Sequence, residues 1–233
     1  MRAGAVVVAA GSGRRFGGAR PKQFLDLGGV PVLAWSVRAF ASHPQVERVV
    51  VVLSPERAGS PPDWLPNGVE VVAGGVARAD SVRAGAEALA GVVDVVLVHD
   101  GARPFPSAAL ISRVMQSAAR GPVVPVIPIE DTVKRVDDGG RVAETVSRRD
   151  LGRAQTPQGF PWSVLARTHA LGDDGAWEVH DAFAMTDDAM LCERLGIEVS
   201  AVEGDPSNLK ITTRRDLAVA RWMVESGLIA AAK

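Results

Sequence analysis

The feature that most constrains the fold is a regular alternation between short valine-rich runs and segments with helical spacing. Five runs are apolar on both faces, as buried parallel strands are, at residues 5–10, 47–54, 69–73, 92–100 and 122–128. Helical spacing occupies residues 31–43, 80–90 and 107–120, with Pro31 in a first turn and Asp80 and Ser107 as N-caps. This order predicts a mostly parallel sheet with helices on both faces, a three-layer α/β fold.

The pattern changes in the middle of the chain. Between Thr132 and Phe160, short alternating strand-like segments flank the turn sequence DDGG. This pattern predicts a β-hairpin arm at about residues 132–156 that projects from the sheet. A helix near 187–195, a strand at 197–203 and a last helix from about Thr213 follow, with Asp216 completing a capping box. Because no repeat or long linker interrupts the chain, we expect residues 1–233 to form a single domain.

Composition excludes several classes of protein. A net charge of -1 argues against a general nucleic-acid binder, so any anion site must be local. Cys192 is the only cysteine, which excludes an internal disulfide and a cysteine-based metal site and favours a packing role. The N-terminal apolar run is short, and no later run approaches the length of a membrane span. We therefore expect a cytoplasmic protein with no membrane segment.

The loop after the first strand, AAGSGRRFGGARPKQF at 9–24, combines glycines with cations. A dinucleotide fingerprint or a P-loop counted from Gly11 would need glycine where this chain has Phe16. The second strand ends at Ser54 rather than at an acid, which further disfavours a dinucleotide-dependent oxidoreductase. Backbone amides and clustered cations suit a leaving group such as pyrophosphate; the alternative is a solvated basic loop. The cations are Arg14, Arg15, Arg20 and Lys22.

Other loops at the carboxyl ends of strands carry further candidates, since ligands of open α/β sheets bind at that edge. Asp100 ends the fourth strand and suits Mg²⁺ or a substrate hydroxyl, although a surface pair with Arg103 or a helix cap is an alternative. His99 should face the opposite side of the strand and be structural. In GGVARADSV, Ser81 suits contacts to a base or ribose. The acids at 187–188 favour a helix start over a metal site.

Eight motifs together resemble a known family. They are AAGSGRR, PKQF, GG followed by RADSV, VHDGARP, DTVK, TPQ, TDDA and NLKIT. In this order and approximate spacing, from Ala9 to the final helix, the chain is similar to the 2-C-methyl-D-erythritol 4-phosphate cytidylyltransferases of the non-mevalonate isoprenoid pathway. The resemblance implies a Rossmann-like nucleotidyltransferase sheet and Mg²⁺-assisted attack of the methylerythritol phosphate on the α-phosphorus of CTP. It also implies a homodimer that exchanges the arm between subunits.

The resemblance assigns site residues in three groups. The catalytic cations would be Arg15, Lys22 and Lys210. The CTP contacts would be Ala9, Ala10, Gly11, Gly75, Ser81 and Asp100. The contacts to methylerythritol phosphate would be Asp100, Arg103, Thr132, Arg148, Thr156 and Thr186, with Arg148 preferred to Arg149 for its spacing to Thr156. Asp100 is also the candidate metal ligand, to Mg²⁺ on the triphosphate.

Two other functions fit parts of the pattern. A ribitol 5-phosphate cytidylyltransferase would share the fold and the cationic loop, but GAR at 101–103 and DTVK at 131–134 look more like the methylerythritol enzyme. A sensor that binds CTP without turning it over would gain little from placing Arg15, Lys22 and Lys210 on one triphosphate. Both remain alternatives to the cytidylyltransferase of isoprenoid synthesis.

Overall fold

The computed structural model describes residues 1–11, 16, 21–171 and 187–230. The strands of this part of the chain are β1 Ala3–Val8, β2 Asp26–Leu27, β3 Val30–Pro31, β4 Val46–Leu53, β5 Val69–Ala73, β6 Val95–Asp100, β7 Val123–Pro128, β8 Val133–Val136, β9 Val142–Val146, β10 Gly152–Ala154, β11 Gln158–Pro161 and β12 Ser200–Glu203. The helices are α1 Val32–Ala41, α2 Pro55–Ala58, α3 Arg78–Glu87, α4 Ala108–Ala118, α5 Trp162–Thr168, α6 Ala189–Arg194 and α7 Arg214–Glu225.

Eight of the described strands form the main sheet. Its order is β10-β7-β11-β6-β1-β4-β5, and β12 pairs with β7. Strands β6, β1, β4 and β5 are parallel neighbours, whereas β11 runs antiparallel between β6 and β7. The predicted mostly parallel sheet is therefore confirmed. The carboxyl ends of β1 and β6 lie side by side, with Val8 opposite Asp100.

Helices cover both faces of the sheet, because successive side chains of a strand point to opposite sides. On one face Val7 and Leu97 belong to a buried cluster with residues of α1 and α4, including Phe40 and Leu110. On the other face Val6, Val52 and Val98 pack with residues of α3, α5 and α6. Two apolar cores separated by one sheet give the three layers that the sequence predicts.

Some local predictions need correction. Strand β5 is not apolar and buried on both faces: it is an edge strand, and its side chains are partly or fully exposed. Asp80 is not the N-cap of α3, because Ala77 occupies that position with an extended backbone and the Asp80 carboxylate accepts the Ala77 N–H at 2.8 Å. The other caps are as expected: the Ser107 hydroxyl accepts the Leu110 N–H, and Thr213 and Asp216 form a capping box.

The arm is a two-stranded hairpin that is shorter than the predicted 132–156, because β10 at the end of that range pairs with β7 in the main sheet. Strands β8 and β9 pair antiparallel and form a sheet of their own. At the turn, Asp137 accepts the backbone N–H groups of Gly139 and Arg141, and Gly140 has φ +76, a conformation that glycine adopts without strain. The arm side chains are mostly exposed.

None of the described helices is both long enough and apolar enough to cross a membrane.

Candidate functional site

A cleft of about 590 Å³ opens at the carboxyl edge of the parallel strands. Among the described residues it is lined by Val8, Ala9, Ala10, Gly11, Phe16, Lys22, Gln23, Gly75, Val76, Ala77, Arg78, Ser81, Asp100, Ala102, Lys210 and Thr212. The cleft thus brings together eight of the residues predicted from the sequence, which are Ala9, Ala10, Gly11, Lys22, Gly75, Ser81, Asp100 and Lys210. They come from segments that are distant in the sequence.

The first wall of the cleft is the end of β1, where Ala9 and Gly11 leave the sheet. A 3₁₀ turn, Lys22–Phe24, lies beside it. The buried side chain of Gln23 donates from Nε2 to the carbonyl oxygens of Ala9 at 2.8 Å and of Gly11 at 2.7 Å. One amide therefore holds the two ends of the glycine-rich loop together, and this contact places Lys22 at the cleft.

The second wall is the turn between β5 and α3. A side chain at Gly74 would meet the Ala10 Cβ at 2.5 Å and the Ser81 hydroxyl oxygen at 2.7 Å, so only glycine lets this turn approach β1 so closely. Ser81 is almost fully buried, and its hydroxyl lies 3.3 Å from the Ala77 carbonyl oxygen. The turn between β5 and α3 and the end of β1 therefore line the cleft side by side.

Asp100 is a carboxylate of the cleft that contacts two cationic side chains. Its Oδ2 lies 2.6 Å from Nζ of Lys210, and its Oδ1 lies 3.4 Å from Nε of Arg78. The side chain of Asp100 is 14% exposed, and burial alone would raise the pKa of its carboxyl group. The Arg78 guanidinium and the Lys210 ammonium outweigh burial, so the pKa of Asp100 lies far below its ordinary value and the carboxylate stays ionised.

Arg78 also binds a second carboxylate. Its Nη1 donates to Oδ2 of Asp188 at 2.7 Å, and the Asp188 side chain is completely buried. Burial would lower the pKa of Arg78, but the carboxylates of Asp188 and Asp100 raise it above its ordinary value. The pKa of Asp188 is lowered by Arg78 and His169 against the opposing effect of burial. Both members of this buried pair are therefore charged.

The TPQ and TDDA motifs meet through one side chain. Gln158, at the start of β11, accepts the backbone N–H groups of Asp188 and Ala189 and donates to the Asp187 carboxylate at 2.8 Å. Asp187 in turn accepts the N–H of Met190, in the first turn of α6. The predicted helix start at 187–188 is therefore present, and within the described residues no three acidic, histidine or cysteine side chains cluster to hold a metal.

Neighbours on both sides hold Lys210 in the cleft. The Asn208 side chain is buried and donates to the Thr156 carbonyl oxygen at 2.6 Å. The Ile211 side chain is also buried, and its N–H donates to the Ala102 carbonyl oxygen at 2.8 Å. Because both flanks of Lys210 are anchored, its side chain extends from a fixed backbone toward Asp100.

Thr156 and Arg103 lie just behind the cleft rather than in its lining. The Thr156 hydroxyl accepts the Asp100 N–H at 3.1 Å and lies 3.0 Å from Nδ1 of His99. The other ring nitrogen of His99 lies 2.9 Å from the Arg103 carbonyl oxygen. His99 is fully buried, and burial lowers its pKa to about 4, so its ring is neutral near pH 7. The Arg103 guanidinium donates to the carbonyl oxygens of Asn208 and Ala154, and burial lowers its pKa.

The remaining predicted residues are elsewhere. Thr132 and Arg148 are exposed on the arm, outside the cleft lining. Arg15 and Thr186 lie outside the described residues.

The sequence analysis missed Arg78, Asp188 and Gln23 as site residues. All three stand in the motifs RADSV, TDDA and PKQF. Their place in these motifs is the one signal that the sequence offers, and it does not show what they contact.

Comparison with known proteins gives consistent matches over nearly the whole chain. Residues 3–226 match the family model described as 2-C-methyl-D-erythritol 4-phosphate cytidylyltransferase. An enzyme of that name from Rhodococcus jostii is 46% identical over 225 residues, which are 96% of this chain and 95% of the relative.

Solved structures agree with this match. A crystal structure of 2-C-methyl-D-erythritol 4-phosphate cytidylyltransferase from Thermus thermophilus is 35% identical, with a TM-score of 0.77, and the match covers 96% of this chain and 98% of that one. The 4-diphosphocytidyl-2C-methyl-D-erythritol synthase from Anaerococcus prevotii is 27% identical, with a TM-score of 0.79, and the match covers 96% of each chain.

Proposed function

The chain belongs to the 2-C-methyl-D-erythritol 4-phosphate cytidylyltransferase family, and we propose that its cleft is the site where CTP and methylerythritol phosphate react. The enzyme is a nucleotidyltransferase. The observation that carries the site assignment is the convergence of Lys22 and Lys210 at the edge where β1 and β6 end side by side. Two lysine ammonium groups in one cleft suit a triphosphate.

In the reaction, a phosphate oxygen of methylerythritol phosphate attacks the α-phosphorus of CTP. A new P–O bond forms, the bond from the α-phosphorus to the bridging oxygen of the β-phosphate breaks, and pyrophosphate leaves with the electron pair of that bond. No covalent intermediate with the protein is needed. Catalysis then consists of positioning the two phosphates and neutralising the charge that develops on the leaving group.

The described residues suggest a division of roles. We assign the base and ribose of CTP to the slot formed by Ala9, Ala10, Gly11, Gly75 and Ser81, because its walls offer backbone groups at close approach. Lys22, with Arg15 from the same loop, stabilises the triphosphate as pyrophosphate leaves. Lys210, whose ammonium is held at Asp100, orients the attacking phosphate. Arg103 and Thr156 support this end of the cleft from behind.

The lining residues fit a Mg²⁺ ion that is bound mainly to the phosphates of the nucleotide. Asp100 is the sole carboxylate among the described lining residues, and its two oxygens already face Arg78 and Lys210. We therefore propose that Mg²⁺ is held chiefly by phosphate oxygens and water, with Asp100 as the one protein carboxylate that could join them. When bound, the ion would neutralise phosphate charge.

We also propose that the enzyme is a cytoplasmic homodimer. Thr132 and Arg148, predicted to contact methylerythritol phosphate, are exposed on the projecting arm rather than in the cleft of the same chain. An arm that reaches a second subunit would let these residues complete its neighbour's site.

The experiment that tests this function is pyrophosphate release by the purified protein with CTP and Mg²⁺. The reaction is run with methylerythritol phosphate, with ribitol 5-phosphate and with no acceptor. We expect turnover only with methylerythritol phosphate. Faster release with ribitol 5-phosphate would assign the cleft to the other polyol, and tight CTP binding without any release would indicate a sensor.

A further inference from the structure

Four charged side chains of alternating sign run from the protein interior into the cleft. They are Asp188, Arg78, Asp100 and Lys210. The inner end is completely buried, whereas the Lys210 side chain at the outer end is 38% exposed. The first contact joins residues 110 positions apart, so it is a product of the tertiary fold.

The contacts of Arg78 with its two carboxylate partners are unequal in length. Its Nη1 lies 2.7 Å from Asp188, within the range of a strong charge-assisted hydrogen bond, whereas Nε and Nη2 lie 3.4 Å from Oδ1 of Asp100. The guanidinium is therefore fixed from the inside, by Asp188, and Asp100 meets it at longer range.

Asp188 is itself held rigidly. Its backbone N–H donates to Gln158 on β11, and it directly precedes α6. Its Oδ1 lies 3.4 Å from Nε2 of buried His169. A buried carboxylate in such surroundings needs a charged partner, and Arg78 is the one that also reaches the cleft.

We propose that Asp188 and Arg78 are positioning residues, which act through Asp100 to hold the Lys210 ammonium where it meets the attacking phosphate. This inference rests on the proposed function of the cleft. Arg78 occupies Oδ1 of Asp100 and leaves Oδ2 to Lys210. Without Asp188, the guanidinium is free to turn fully onto Asp100 or onto the triphosphate, and Lys210 then loses its fixed partner.

Lysine cannot replace Arg78 in this role. Different nitrogens of one planar guanidinium contact the two carboxylates, whereas an ammonium is a single point of charge on a flexible stem. Arg78→Lys should therefore keep the charge and still lose the positioning. Arg83→Lys is the matched control, because Arg83 lies on the same helix and binds the Glu87 carboxylate through Nε at 3.0 Å.

The test is a double-mutant cycle between Asp188 and Lys210, measured on kcat and on KM for both substrates. We expect Asp188→Asn to lower kcat about 10-fold or more, as loss of a supporting partner does in other sites, with a smaller change in KM for CTP. In the Lys210→Ala background the same substitution should change kcat little, because the group that it positions is gone. Equal fold-changes in both backgrounds would overturn the proposal.

A second variant separates positioning from folding. Arg78→Met with Asp188→Leu replaces the ion pair with apolar side chains, and proteins often tolerate such an exchange at a buried ion pair without loss of stability. We expect this double variant to melt near the wild-type temperature and yet to stay as slow as Asp188→Asn. Recovery of wild-type kcat in the double variant would show that the pair is structural only. Wild-type turnover, measured in parallel, separates failure of this inference from failure of the proposed function.

Discussion

The side-chain amide of Gln23 donates to the carbonyl oxygen of Gly11 at 2.7 Å, and the same amide reaches Ala9 at 2.8 Å. Two carbonyl groups at the start of the glycine-rich loop thus depend on one buried donor from its far end. This contact ties the start of the loop to Gln23, the neighbour of Lys22 in the cleft lining.

Replacing Gln23 by alanine should therefore weaken CTP binding. We expect the Kd for CTP to rise about 10-fold, the scale of one to two lost hydrogen bonds, and stability to fall by about 1–3 kcal/mol because two acceptors lose their donor. Titration calorimetry and urea unfolding measure the two effects. Gln45→Ala, at an exposed position, is the matched control and should change neither. An unchanged Kd in Gln23→Ala would show that the loop does not depend on this amide.

The arm prediction can be tested by co-expression of two defective chains. One carries Arg148→Ala and the other carries Lys22→Ala. If each arm serves its neighbour, random pairing makes half of the dimers mixed, and each mixed dimer has one intact site, so activity should recover to about a quarter of wild type. Arms that serve their own subunit would give no recovery. Arg149→Ala is the control for register and should remain active alone.

Cys192 gives a stability prediction at alkaline pH. Its side chain is buried, and burial raises the pKa of the thiol to about 11. The unfolded thiol ionises at lower pH, so the unfolded state loses its proton first and stability falls as pH rises from about 9 to 11. At pH 10 the loss should be about 2 kcal/mol.

Urea unfolding at pH 8 and pH 10 measures this effect under reducing conditions. Cys192→Ala is less stable at both values because it leaves a cavity, but it should lack this part of the pH dependence. If wild type and variant lose the same free energy of unfolding between the two pH values, the thiol does not titrate as its burial requires.

The sheet could be predicted because its signal is local. Apolar runs such as those of β1 and β6 must be buried on both faces, and their alternation with helices leaves few topologies. Edge strand β5 looks the same in sequence, since a run of valines does not state how many neighbours its strand has. The loops that line the cleft were predictable for the same reason, because they directly follow the strands.

The inner part of the site was not predictable in this way. The contact between Arg78 and Asp188 spans most of the chain, and the two motifs that contain them give no indication that they meet. Thr156 makes contacts that its motif does not indicate, because its hydroxyl accepts the Asp100 N–H and lies beside His99. Such side chains acquire their roles only when β6, β11 and the segment before α6 pack together.

In the proposed function, the cations of the cleft act on the transition state of nucleotidyl transfer. The most direct measurement is the single-turnover rate of Lys22→Ala beside its equilibrium Kd for CTP, with wild type as reference. We predict that the activation free energy rises by at least about 3 kcal/mol, while the free energy of CTP binding changes far less. The reason is that the charge on the leaving pyrophosphate develops only during the reaction. Equal losses in rate and in affinity would contradict this account and favour a cleft that merely binds CTP.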